Sequence, residues 1–325
     1  MEKKDLKIVF LGTPEFAVAS LESVLREGYS VKAVVTMPDK QAGRGHKFLF
    51  SDVKKCALEH GLPVLQPRNL KDPEFLSELA SYGADLFIVI AFRMLPEAVW
   101  GMPRLGTFNL HASLLPRYRG AAPINRAVMN GEKETGVTTF FLKHEIDTGD
   151  IIASRKIGIG DDENVGSVHD RLMALGAEMV LDTLQEILKT DGNVAVTPQP
   201  EGEFTPAPKI FAEDCVIDWN RPREEVRNQI RGLSPYPAAR TSIRNAEGKE
   251  FSLKVFGAKY AEAGSDGAAP EPGALSFDKK HLYVMCGDGP LEITELQLQG
   301  KKPMSTTAFL AGFRPLENQV IKKLS

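Results

Sequence analysis

The 325-residue chain has only three cysteines, Cys56, Cys215 and Cys286. They are odd in number, far apart and without CxxC or metal-ligand spacing. That excludes a disulfide framework and a thiolate metal site, and it points to a reducing cytoplasm. Long hydrophobic runs are missing too. The longest, Leu86 to Phe92, is far short of the roughly 20 residues that span a bilayer, so no membrane partner is expected. Lys3, Lys4 and Lys7 precede only Ile8 to Leu11 before Gly12-Thr13-Pro14 breaks the run. That is too short for the apolar core of a signal peptide. Phosphate-cradling glycines are also absent. After the first apolar run comes Gly12-Thr13-Pro14-Glu15-Phe16-Ala17, with Pro14 where G-x-G-x-x-G needs its second glycine. A nicotinamide cofactor is therefore not expected, and without GxxxxGK[ST] neither is a bound nucleoside triphosphate. Nor does one sign of charge dominate: 40 Lys and Arg face 43 Asp and Glu, a net −3. The balance shifts along the chain, with 17 basic against 15 acidic residues from Ala207 onward and 23 against 28 before it. Overall it gives no global sign of nucleic-acid binding.

What is present is an ordinary globular composition, 42% apolar and 26% charged, in a chain long enough for about two domains. The first two-thirds alternate between two periods. Strand runs are read at Lys7–Leu11, Val31–Val35, Pro63–Leu65, Asp85–Ala91 and Thr107–Leu110. Helical spacing fills Glu15–Glu27, Ser51–His60 with Ser51 as N-cap, Asp72–Ser81 and Pro96–Met102. Continuous apolar strands separated by helices predict a doubly wound, mostly parallel α/β sheet covered on both faces, Rossmann-like in plan. Gly136–Leu142 and Asp150–Lys156 are set to pair across a turn, and Asn164–Lys189 reads as one long helix. Four prolines then fall between Asp191 and Ile210 without helical or strand rhythm, a linker that is stiff in places. Beyond it lie a helix at Arg221–Gly232 and short strands at Ala239–Ile243, Phe251–Phe256, Leu282–Met285 and Leu291–Leu298. Turn signals about every ten residues suggest a small β-barrel or sandwich, and the expectation taken is a smaller, OB-like C-terminal β-barrel. The expected division is a catalytic domain over 1–190, a Pro-rich linker over 191–209 and the β-barrel over 210–325. No internal repeat is found.

Three segments carry possible chemistry. Met37–Phe50 (MPDKQAGRGHKFLF) follows the second strand at the carboxyl edge, where open α/β sheets place ligands. Its basic tip with Arg44, His46 and Lys47 is either a solvated loop or a contact for a phosphate backbone. In the second segment, strand alternation puts Asn109 and His111 on one face and Phe108 and Leu110 on the other. A lone histidine there would more often be a satisfied core group. An Asn–His pair followed by the Pro- and Gly-containing SLLPRYRG favours function. The third segment, His144 to Asp150, is on its own no more than turn chemistry.

Taken together, N-x-H-x-SLLPxxxG and the later D-T-G-D resemble the folate-dependent formyltransferases. The resemblance extends from FLGTPEFA through PDKQAGRG to the C-terminal LQLQGKKPMS. One departure is Ala91-Phe92-Arg93, where members more often carry Ala-Tyr-Gly. The resemblance implies direct formyl transfer from 10-formyltetrahydrofolate, a co-substrate, to the α-amine of methionine on initiator methionyl-tRNA, with no metal and no nucleotide. Such transfer needs a donor for an oxyanion, a proton carrier and a carboxylate that sets the carrier's state. Asn109, His111 and Asp147 supply these three types. The resemblance further implies that Ser113, Leu114, Leu115 and Pro116 line the folate. Backbone near Arg93, Met94 and Leu95, and the turn from Asp147 to Asp150, would read its pterin. The loop around Arg44 and Lys47 would enter near the tRNA acceptor end, with Lys209, Lys301 and Lys302 facing the RNA. For any one of these lysines the alternative is plain solvation. Single-domain glycinamide ribonucleotide formyltransferases lack the 115 or so residues after the linker. Sugar-amine formyltransferases and the hydrolase part of formyltetrahydrofolate dehydrogenase share the two-part front, but the basic Gly43-Arg44-Gly45 tip favours tRNA. A non-catalytic RNA-binding protein on the same fold would not need Asn109, His111 and Asp147 intact. Nothing in the sequence demands an oligomer, so a cytoplasmic monomer is expected.

Overall fold

The alternating apolar runs become the strands of a central sheet in the computed structural model, which describes residues 2–42, 47–200, 202, 204–261 and 271–321. In chain order the elements begin with β1 (Lys7–Gly12), α1 (Glu15–Arg26), β2 (Ser30–Val35), β3 (Lys40–Ala42), β4 (Lys47–Leu49), α2 (Asp52–Glu59) and β5 (Val64–Leu65). They continue with α3 (Pro73–Ser81), β6 (Leu86–Ile90), α4 (Glu97–Trp100), β7 (Thr107–His111), β8 (Arg119–Gly120), α5 (Pro123–Met129), β9 (Glu134–Phe141) and β10 (Ile151–Gly158). After α6 (Val165–Thr190) and β11 (Pro206–Ala207) come α7 (Arg223–Leu233), β12 (Ala239–Arg244) and β13 (Glu250–Tyr260). Then follow β14 (Leu275–Phe277), β15 (Leu282–Met285), β16 (Pro290–Leu298), β17 (Met304–Ser305) and α8 (Thr306–Gly312). Among the described residues no helix is long and apolar enough to cross a membrane.

Two compact units result. The first comprises residues 1–120, 134–157 and 169–207, and the second 121–133, 158–168 and 208–325. The stretch expected as a linker divides between them, through Ala207 with the first and from Pro208 with the second.

In the first unit the sheet order is β10-β9-β7-β6-β1-β2-β5. Strands β5, β2, β1, β6 and β7 are parallel, and β9 runs antiparallel to β7. All five residues of β6 are buried, as its unbroken apolar run requires of a strand covered on both faces. Each such side chain stabilises the fold by about 1.5–3 kcal/mol relative to exposure. One face of the sheet packs Val9, Leu11, Val35, Phe87 and Val89 against Phe75 and Leu79 of α3. Chain order reverses between β1 and β6, and Gly12 lies opposite Ile90, which lies opposite Leu110. The carboxyl ends of three strands are therefore level at the switch point, where such sheets bind ligands. The predicted cap forms, Ser51 accepting from the Lys54 N–H at 3.1 Å, and the structure adds Asp72 as the cap of α3, accepting from the Glu74 N–H at 3.0 Å.

The second unit holds an antiparallel sheet of order β12-β13-β16-β15-β14, with β17 on β16. Its core gathers Trp219, Ile230, Val255, Leu291 and Leu296, and the Trp219 indole donates to Thr241 Oγ1 at 3.2 Å. The three chain segments are tied by polar bonds. Asn125 donates to the Gly232 carbonyl at 2.8 Å, Arg227 to the Asp161 carbonyl at 2.9 Å and Arg231 to the Glu163 carbonyl at 3.1 Å.

Candidate active site

Strand β7 ends on His111 at the carboxyl edge, with Asn109 two residues earlier. His111 is buried and its Nε2 lies 2.9 Å from the Tyr118 carbonyl. A carbonyl only accepts, so Nε2 carries the proton in this pair and Nδ1 is the nitrogen turned elsewhere. Nδ1 stands 3.8 Å from Oδ2 of Asp147, too far for a hydrogen bond. That oxygen is fixed by a second group, the Gly120 N–H at 2.9 Å. Asn109 is half-buried between Val89 and Phe140 in the sheet, and among the described residues no hydrogen bond is found for its amide.

The segment between β9 and β10 must fold back for Asp147 to reach His111, and its backbone bends accordingly. Asp147 has a φ of +55°, a conformation that Asp tolerates better than most residues. At Gly149 a Cβ would stand 1.6 Å from the Phe141 carbonyl oxygen, so the return path exists only with glycine there. The Gln199 amide closes the turn from outside, donating at 2.8 Å to the carbonyls of both Asp147 and Gly149.

The turn after β7 uses its polar groups internally. Ser113 is fully buried, its hydroxyl donating to the Arg117 carbonyl at 2.7 Å and its own carbonyl accepting from Thr138 at 2.7 Å. Leu115 is buried and its N–H donates to Thr138 Oγ1 at 3.3 Å, while Leu114 and Pro116 are half-buried. Past β6, Met94 is exposed and Leu95 packs into the core beside Val99. Arg93 turns toward the segment after β5, donating to the Arg68 carbonyl at 3.0 Å and to the Pro67 carbonyl. Burial pushes its guanidinium below the usual arginine range. Asp150 pairs with Lys143 at 2.7 Å. Thr13 Oγ1, just past β1, is buried without a partner among the described residues.

The basic loop is flanked by β3 and β4, which pair as a short antiparallel hairpin. The segment over Met37–Phe50, read from the sequence as a loop, thus carries a strand pair. Its strands are only three residues long, too short to show a period. Arg44 lies outside the described residues, and Lys47 begins β4. At the foot of the hairpin Asp39 accepts from Lys54 at 2.6 Å and Gln66 at 2.8 Å. Hydrogen bonds from Gln66 and Lys54 hold its carboxyl below the usual range. Lys209 is exposed in the second unit with its ammonium 5.8 Å from the Phe211 ring centroid. Lys301 and Lys302, also exposed, occupy the turn after β16.

The structure thus gathers Asn109, His111 and Asp147 in the first unit with the Ser113–Pro116 turn. It does not bring the Arg93 guanidinium or the Ser113 hydroxyl into free positions, since both are bonded to backbone carbonyls. Tyr118, Gly120, Arg119 and Gln199 complete the site without having been singled out. Tyr118 to Gly120 stood inside the quoted motif. For Gln199 the only signal was its place between Pro198 and Pro200. Among the described residues no cluster of three His, Cys, Asp or Glu is placed to hold a metal.

Comparison with known proteins shows which family has this sequence and fold. The formyl transferase family model matches residues 6–184, and the formyl transferase C-terminal domain matches 209–314. The methionyl-tRNA formyltransferase of Bacteroides fragilis is 54% identical over 322 residues, covering 98% of each chain. That of Flavobacterium johnsoniae is 49% identical, covering 96% of this chain and 97% of the relative. Among solved structures, the sugar 3N-formyl transferase WlaRD matches with a TM-score of 0.62 at 20% identity, covering 91% of this chain and 99% of that one. HypX from Aquifex aeolicus, crystallised with tetrahydrofolic acid, gives 0.61 at 21% identity, 98% of this chain matching half of that longer protein. These two establish likeness of fold alone. From the match of both family models and the full-length identity, the chain belongs to the formyl transferase family, among the methionyl-tRNA formyltransferases.

Proposed function

We propose that this enzyme transfers the formyl group of 10-formyltetrahydrofolate to the α-amine of methionine on initiator methionyl-tRNA, giving N-formylmethionyl-tRNA for translation initiation. The observation that carries the reading is that 54% identity to a methionyl-tRNA formyltransferase runs through 322 residues, both units included. In the proposed mechanism the neutral amine adds to the formyl carbon and the formyl oxygen becomes negative. The folate nitrogen then leaves with a proton. Asn109 donates its amide N–H to that oxygen; it cannot titrate away, and it has no competing bond among the described residues. His111, anchored through Nε2, uses Nδ1 to carry the proton. With 3.8 Å between Nδ1 and Asp147, the proton from the amine passes through the reacting group itself or one water. Nδ1 takes that proton and returns it to the departing folate nitrogen, while the Asp147 carboxylate stabilises the imidazolium formed in between.

The folate is assigned to the carboxyl edge. Leu114, Leu115 and Pro116 form the apolar wall, with Ser113 shaping their turn, and the backbone of Arg93, Met94 and Leu95 and of Asp147 to Asp150 reads the pterin. The amide of Asn109 and hydroxyl of Thr13, without hydrogen-bond partners among the described residues, fit a ligand that brings its own polar groups. Arg44, Lys47, Lys209, Lys301 and Lys302 are assigned to the RNA. The enzyme is taken to work as a monomer in a reducing cytoplasm, a compartment supported by three buried, unpaired thiols.

The test is a formyl-transfer assay with 10-formyltetrahydrofolate, offering methionyl-tRNA and an amino-sugar nucleotide side by side. Transfer to methionyl-tRNA alone is expected. Transfer to the sugar alone would keep the catalytic residues and overturn the acceptor, and transfer to neither would overturn the reading.

A further inference from the structure

The segment after α6 is stitched along the first unit by a series of polar bonds that meet at the site. Thr197 exchanges both backbone hydrogen bonds with Ile151 at 2.8 Å. Two residues on, the Gln199 amide donates both its hydrogens, to the carbonyls of Asp147 and Gly149. Its oxygen accepts from Arg119, from Nε at 3.1 Å and from Nη2 at 2.7 Å. The four bonds fix the amide's orientation, because the flipped amide would set donor against donor and oxygen against oxygen. Arg119 is braced in turn. Its guanidinium lies 4.9 Å from the Phe204 ring centroid, its N–H donates to the Thr205 carbonyl at 3.1 Å, and β8 pairs with β11.

Arg119 stands between the two residues that anchor the catalytic pair. Tyr118 on one side holds His111 Nε2, and Gly120 on the other holds Asp147 Oδ2. Gln199 thus joins the backbone that fixes the histidine to the backbone that fixes the carboxylate. The two reacting groups do not bond each other at 3.8 Å, so their spacing is set by what lies behind them. From this geometry we infer that Gln199 is a positioning residue for formyl transfer, the brace that sets the distance between His111 and Asp147. The inference rests on the proposed function for its catalytic meaning, but the geometry it describes does not.

Gln199→Ala removes the brace. Gln199→Glu keeps the acceptor for Arg119 while turning two donated bonds into oxygen–oxygen contacts. Both are compared with the unaltered enzyme in formyl transfer and in the 1H–15N spectrum of the histidine rings, the His111 signals being identified with His111→Gln. Expected is a kcat lower by roughly 10- to 100-fold, the scale of an ångström-sized misplacement, with the thermal midpoint little changed. Gln199→Glu falls at least as far as Gln199→Ala, and the His111 ring signals move while those of the other five histidines stay. An unchanged kcat overturns the inference, as do unmoved His111 signals or a loss of rate that only tracks a lower thermal midpoint. If the unaltered enzyme formylates no methionyl-tRNA, that result falls on the proposed function. The ring signals then decide alone whether Gln199 sets the His111 environment.

Discussion

At the scale of single residues, the site divides into groups tied to carbonyls and groups left open. His111 is held through one nitrogen, and among the described residues no hydrogen bond is found for the Asn109 amide. In the proposed mechanism the Asn109 amide serves as a preorganised oxyanion donor. Asn109→Ala is expected to lower kcat by roughly 10²–10³, the effect of losing one such donor, with folate binding retained in a fluorescence titration. His111→Ala is expected to abolish turnover while folate binding largely survives, and turnover at the unaltered rate would remove His111 from the mechanism. Asp147 and Gly149 show how tightly the backbone constrains this corner. One adopts a φ of +55° and the other has no room for a methyl group, so the D-T-G-D residues set the path of the turn that carries the proposed carboxylate.

At the scale of elements, α2 links the sheet to the hairpin through its cap. Ser51 accepts the Lys54 N–H and exchanges a 2.8 Å bond with Thr36 at the end of β2, while Lys54 reaches Asp39 and Gln66. Ser51→Ala is expected to cost about 1 kcal/mol, read as a lower denaturation midpoint in urea with an unchanged slope. The elements legible in the sequence were those with a period or a cap. β1, β2, β6, α1 to α3 and α6 showed apolar runs, helical spacing or, at Ser51, a cap. Strands β3, β4, β8 and β11 did not, because two or three residues hold no periodicity and pair only when distant chain arrives. Pro206 and Ala207 find Arg119 and Gly120 some 87 positions away in the sequence. The site followed the same rule. Asn109 and His111 announced themselves by alternation on one strand. Gln199 approaches Asp147 from 52 residues away, and nothing local in the chain marks that approach.

At the scale of the whole molecule, the three thiols are distributed over both units and all are buried. Burial pushes Cys56 up to about 11 and Cys286 up to about 12, and raises Cys215 as well. A buried thiol that resists ionisation adds stability in full below its ordinary value and loses it as the pH rises through the folded value. The urea midpoint is therefore expected to fall between pH 8 and 10.5, less steeply in Cys286→Ala, and native protein at pH 8 should resist iodoacetamide until unfolded. Binding of tRNA, proposed to draw on lysines and Arg44, should weaken steeply with salt. Arg44→Ala should reduce use of methionyl-tRNA more than folate binding, and an equal loss in both would remove the loop from that role. The interleaving of the two units reaches further. Residues 121–133 and 158–168 belong with the C-terminal chain, where Asn125, Asp161 and Glu163 meet Gly232, Arg227 and Arg231. A chimera joined to a relative at residue 208 would inherit these partners from two different parents. Because each of these bonds ends on a backbone carbonyl, what an exchange between family members must keep is the three donors Asn125, Arg227 and Arg231 and the path of three separated stretches of gene.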